Sequence, residues 1–311
     1  MLLAFFAWTG LAHADDYPSK PVRLIVTVPA GGHADLVARL VGQKLAEAFG
    51  RPFVIDNRGG GGGIVAEEVT ARSVPDGYTI VQVALAHVVN PALTKKLPYD
   101  PVKDLVPVSL TVSVPNVLVI NRGVPAQSVP ELIALAKAKP GELTYAAGLA
   151  TSLHMAGELF KAMAGVDILH VSYKSGGLAV PDLEAGRINM SFAVITSAIS
   201  MLKNGRVRAL AVTSAQRTQV MPELPAMSEF VPGYELTGWQ GILAPARTPR
   251  PIIDRLNAEI AKAMRSPDVR SRLLASGADP VGSTVEEFAA MREAEFAKIR
   301  TLVAKAGLKP E

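Results

Sequence analysis

Short apolar runs alternate with amphipathic stretches along the whole chain, the grammar of an α/β protein. Residues 22–28 (VRLIVTV) form a buried-strand run, stopped by Pro29-Ala30-Gly31-Gly32. Over 35–49, apolar residues recur at Leu36, Val37, Leu40, Val41, Leu45 and Phe49, a helical period, and Gly50 stands in the helix-ending position. Residues 53–57 read as a strand, 64–72 as a short helix and 79–85 as a third strand. This strand–helix order predicts a parallel sheet. Further strands are predicted at 117–120, 143–147, 168–171, 188–193 and 207–212, with helices after Ser128 and over 152–163. Ser128-Val129-Pro130-Glu131 carries a capping-box pattern with proline in the first turn. The last third is helical, over 251–264, 267–275 and 284–306, each helix opening on Ser, Thr or Pro.

This order predicts two lobes from a discontinuous chain. Residues 15–116 and 240–311 make the first and 117–239 the second. Crossings near residues 114–120 and 236–243 act as a hinge, and the ligand cleft lies between the lobes. A length of 311 residues suits two domains, and 49% hydrophobic against 19% charged residues suits two packed cores. The net charge of +4 comes from scattered Lys and Arg, so no nucleic-acid footprint is expected. Residues 1–14 are apolar and uncharged but for His13, and end in Ala12-His13-Ala14 before two acids. They read as a secretory signal peptide lacking the usual basic start, which predicts export to the periplasm. With no cysteine in the chain, thiol catalysis and Cys-type metal sites are excluded.

Two loops are candidates for holding an anion. Val28, Pro29, Ala30, Gly31 and Gly32 lead into the first helix, where glycines permit close backbone approach and free amides favour negative charge. An ordinary strand-to-helix turn with Asp35 as N-cap reads equally well. Gly148, Leu149, Ala150, Thr151 and Ser152 open a second helix, where the two hydroxyls serve either a carboxylate or plain capping. The run Gly59 to Gly63 invites a nucleotide reading, but the next strand ends Val83-Ala84-Leu85-Ala86 without the acid that the fingerprint needs. No G-x-S-x-G or H-E-x-x-H occurs. An enzyme would have to use His33, His87 or His154 as its base.

Several segments together resemble the solute-binding proteins of tripartite tricarboxylate transporters. They are residues 22–39, 53–60, 75–78, 90–106, 154–160, 170–174, 209–214 and 238–245. The resemblance implies a type II periplasmic-binding-protein fold, a small organic carboxylate as ligand, membrane transporter subunits as partners, no cofactor and no catalysis. It implies a monomer in transport, with presentation of the ligand to a receptor as the alternative. Carried onto this chain, the ligand loops are Val28 to Gly32, Ala84-Leu85-Ala86-His87, Gly148 to Ser152, and Tyr173-Lys174, with Asp35 and His154 supporting them. The chain departs from the family pattern at His33-Ala34, at Val83 to Ala86, at Leu149-Ala150 and at Ala193, where small polar or acidic residues are frequent. The replacements are mostly apolar. They predict a ligand with an apolar body, an aromatic acid or a medium-chain dicarboxylate.

Overall fold

The computed structural model describes residues 17–148, 151–173 and 176–305. The expected leader, residues 1–14, lies outside them. Two sheets organise the chain. The first has six strands in the order β11-β4-β10-β3-β1-β2. Its members are β1 (Val22–Val26), β2 (Phe53–Asn57), β3 (Thr79–Ala84), β4 (Leu105–Val114), β10 (Gly238–Pro245) and β11 (Asp279–Pro280). The second has five, ordered β7-β6-β8-β5-β9: β5 (Asn116–Asn121), β6 (Thr144–Gly148), β7 (Leu169–Tyr173), β8 (Met190–Val194) and β9 (Val207–Val212). Each sheet is flanked by helices, giving the two-lobe α/β fold that the sequence predicts.

β1 pairs in parallel with both β2 and β3, as expected from the strand–helix alternation. Helix α1 (His33–Phe49) makes the first crossover and α2 (Ile64–Ala71) the second. The pattern is amphipathic in α1, which buries Val37, Leu40, Val41 and Leu45 against the sheet, and Gly50 closes it in the left-handed region at φ 64°. β10 then runs antiparallel to β3 and β4. The second crossing, expected near 236–243, narrows to 236–238: from Gly238 onward the chain is a central strand, buried along nearly its whole length.

The 117–120 strand starts one residue earlier, and only Pro115 separates β4 in one sheet from β5 in the other. The two crossings lie side by side. Val114 is the register partner of Gly238. Asn116 N donates to Thr213 Oγ1 at 3.0 Å, Thr213 N to Asn116 O at 2.8 Å, and Leu236 N to Thr213 O at 3.0 Å. One apolar core continues through this region. Val81, Leu243 and Phe288 of the first lobe belong to the same buried cluster as Leu118, Phe160 and Tyr234 of the second. Trp239 sits in it, edge-on to Phe288 with ring centroids 5.7 Å apart.

The remaining helices are α3 (Ala86–Leu93), α4 (Val129–Ala138), α5 (Ser152–Ala164), α6 (Val180–Glu184), α7 (Ile195–Lys203), α8 (Arg250–Arg265), α9 (Pro267–Ala275) and α10 (Val285–Lys305). Ser128 caps α4 as expected, its Oγ accepting from Glu131 N, but the returning Glu131 side chain accepts from Gln127 N at 2.8 Å, one residue before the cap, rather than closing the box on Ser128 N.

Candidate functional site

The loop after β1 is a built turn. Gly31 takes φ 87°, a left-handed value that suits glycine, and Gly32 caps α1 through its backbone alone. Asp35 is not the N-cap. It sits inside the first turn, where its Oδ2 accepts from Gly31 N and from Arg39 Nε, each at 3.0 Å. The Arg39 guanidinium and the Gly31 amide hold this carboxyl below its ordinary pKa although burial opposes them. Asp35 thus folds the loop back onto the helix. From below, Asn57 Nδ2 donates to Val28 O at 3.2 Å, and Gly59 lies so close to Pro29 that a Cβ would come within 2.6 Å of its ring. The glycine run is thus a shelf under this loop.

His33, the first residue of α1, joins a chain of hydrogen bonds. Gln82 Nε2 on β3 donates to Ala34 O at 2.7 Å and to Gln240 Oε1 at 3.0 Å. Gln240 Nε2 on β10 lies 2.8 Å from His33 Nδ1, and His33 Nε2 lies 3.2 Å from Ser276 Oγ at the end of α9. An amide nitrogen can only donate, so the ring proton is on Nε2 and donates to Ser276. Burial lowers the pKa of His33, consistent with the neutral ring. Gln82, Gln240 and Ser276 were not singled out in the sequence, because three separate elements supply them.

The expected loop at 84–87 is instead the end of β3 and the first turn of α3, with Ala84 and Ala86 half-buried and Leu85 buried. The His87 side chain is fully buried and lies 2.6 Å from Glu67, which also accepts from Tyr99 OH at 2.9 Å. Its ring faces the core of the first lobe and is withdrawn from solvent, a correction to its expected place among cleft groups.

In the second lobe, Gly148 ends β6, while Leu149 and Ala150 lie outside the described residues. Thr151 is the N-cap of α5: its hydroxyl donates to Gly148 O at 2.7 Å and accepts from His154 N at 3.3 Å. The capping reading of Thr151 is therefore realised. Ser152 is half-buried beside it. His154 is buried in a stack of rings, 4.2 Å from His170 and 6.4 Å from Tyr145 between centroids. Burial first, and His170 second, lower its pKa to about 4, so it is neutral near pH 7 and supports the turn by packing. Tyr173 ends β7 and donates to Asp182 Oδ2 at 2.6 Å; Lys174 lies outside the described residues.

Ala193, near the end of β8, opens onto a feature absent from the sequence reading. A cavity of about 170 Å³ lies between the start of α5, the end of β8 and the short helices α6 and α7. Leu153, Ala179, Leu183, Phe192, Ala193 and Met201 contribute its apolar walls, and none of its lining residues is charged. Thr151 and Ser152 immediately precede Leu153, so the candidate anion-holding turn and the apolar cavity adjoin.

Comparison with known proteins agrees with this architecture. The model of the tripartite tricarboxylate transporter family receptor matches residues 37–308. The UPF0065 protein in the tcbD-tcbE intergenic region of Pseudomonas sp. (strain P51) is 38% identical, covering 95% of this chain and 89% of its own. Among solved structures, R. palustris Rpa4515 with adipate is 35% identical with a TM-score of 0.77, covering 95% of this chain and 100% of its own. The periplasmic binding protein BugD is 29% identical with a TM-score of 0.73, covering 95% and 100%. The chain belongs to the tripartite tricarboxylate transporter family of receptors.

Proposed function

We propose that this protein is a periplasmic solute-binding receptor that captures a small organic carboxylate with an apolar body and delivers it, unchanged, to a membrane tripartite transporter. The observation that carries this reading is the adjacency in the second lobe of a helix start and an apolar wall. Thr151-Ser152 open α5, where first-turn amides lack intrahelical partners, and Leu153 already lines the cavity. The loop from Val28 to Gly32, at the start of α1, is the first lobe's share of the carboxylate site, though its Gly31 amide is engaged by Asp35. Water bridges to such a carboxylate are nearly as favourable as direct bonds. Adipate in the R. palustris relative supports a carboxylate ligand here. The half-buried Ala84 and buried Leu85 and Ala193 offer little to a highly hydroxylated acid, which would lose hydration there without replacement.

The two sheets support a two-lobe division close to the expected one, with its bounds moved to the strand ends: Asn116 goes with lobe two and Gly238 and Trp239 with lobe one. Residues 1–14 are removed on export and the receptor works as a monomer. Incubation with aromatic acids, diacids, citrate and aspartate, following melting temperature and ligand composition together, tests the function. A raised Tm with unchanged ligand is expected, because binding to the folded state stabilises it. Turnover of any of these acids overturns the reading. Protein exported by the native host should begin at Asp15, checked by N-terminal sequencing.

A further inference from the structure

The cavity beside Ala193 is closed to charge, and this narrows the ligand. Its one buried hydroxyl, that of Ser191, donates to Ala146 O at 2.9 Å inside the sheet and is already engaged. The exposed Ser197 stands on α7 where the cavity meets a wider groove. That groove carries Glu184, which accepts from Asn204 Nδ2 at 2.8 Å, so the rim presents an acid to anything that emerges there. A second carboxylate placed in the cavity would meet no cation, only the Ser197 hydroxyl at its mouth, too little to replace the hydration of a buried charge, and one placed at the rim would meet the like charge of Glu184. The size fits a ring. Apolar cavities of about 150 Å³ bind benzene, and this one measures about 170 Å³.

We infer that the cavity is a subsite for the uncharged end of a monocarboxylate, a single aromatic ring or a compact alkyl group, and that it excludes linear diacids. This rests on the receptor reading above and deepens it. Leu153 forms the wall nearest the start of α5, so a carboxylate at Thr151-Ser152 and a ring against Leu153 belong to one compact molecule. Ala179 and Met201, both buried, set the volume left for the ring.

Calorimetric titration with benzoate, acetate and adipate tests this on the mature chain. Benzoate is expected to bind at least tenfold more tightly than either of the others. Ala179→Leu, which fills the cavity, should weaken benzoate at least tenfold and leave acetate unchanged. Met201→Ala, which enlarges it, should raise the affinity of 2-naphthoate relative to benzoate, and it serves alone if the filled variant does not fold. Adipate binding more tightly than benzoate keeps the receptor and overturns the subsite. So does benzoate affinity that neither variant moves. A chain that binds no acid at all overturns the receptor reading, and the subsite with it.

Discussion

Thr218, in the segment after β9, donates its hydroxyl to Asp279 Oδ2 on β11 at 2.7 Å, joining the two lobes beside the crossings. The other oxygen, Asp279 Oδ1, is buried without a hydrogen-bond partner among the described residues. Nearby, Arg270 on α9 donates to Gln219. The α9–β11 segment of the first lobe is thus fastened to the second. Replacing Thr218 by Val would leave both carboxylate oxygens without this donor, and a buried polar group so stranded costs about 1–3 kcal/mol. Urea denaturation of Thr218→Val should show that loss as a lower midpoint with an unchanged slope.

Two residues earlier than Asp279, Gly277 has φ 82° and rests on the start of α7; a Cβ there would come within 2.4 Å of Ile195 Cγ2. Gly277→Ala should therefore strain the backbone and wedge the lobes apart. Overpacking of this kind costs about 1–3 kcal/mol. Small-angle scattering should give a larger radius of gyration than wild type under the same conditions, and equal radii would count against a wedge.

Acid should destabilise the protein through His154. Its folded pKa is about 4, below the ordinary value of 6.5, because burial and then His170 disfavour the charged ring. Between those values the unfolded chain binds the proton and the folded one does not. Stability is therefore full above pH 6.5 and declines as pH falls toward 4, by on the order of 3 kcal/mol for this group. His33, whose pKa burial also lowers, acts in the same direction. The Tm of His154→Phe should depend less steeply on pH between 4 and 6.5 than that of wild type. An unaltered slope would exclude His154 as the titrating group.

Thr151→Ala removes a cap whose hydroxyl bonds both Gly148 and His154. Loss of an N-cap costs about 0.5–2 kcal/mol. Because that hydroxyl is engaged within the turn, the stability loss should exceed any loss of benzoate affinity. Chemical denaturation and calorimetry on the same variant give the two numbers.

The sequence reading recovered the strands and helices wherever period and punctuation agreed, as in α1, where the apolar stripe runs to Gly50. It missed β4, whose LVPVSLTVSV contains Pro107. A proline argues against a central strand, yet β4 has a partner on only one side there: β11 pairs no nearer than Val112. β10 was not legible as a strand, its apolar run being interrupted by Gly238 and Gly241. Space explains the second glycine, since a Cβ at Gly241 would fall within 2.3 Å of the Phe288 ring. The helix-start loops were legible because their chemistry is local. The cavity was not, since its walls come from α5, the turn before α6, α6, α7 and β8, and each contributes only one to three apolar residues that read as ordinary core.

The shared core beneath the crossings bears on how this receptor can open. If each lobe had its own sealed interior, the two could part freely and even unfold one at a time. Here Leu118, Phe160 and Tyr234 lie in one cluster with Val81, Leu243 and Phe288, and drawing the lobes fully apart would bring that cluster into water. Any opening is then expected to be a shallow pivot about the paired crossings at Val114 and Gly238, with the interior acting as a fixed bearing. Heating should disrupt both lobes in a single cooperative step.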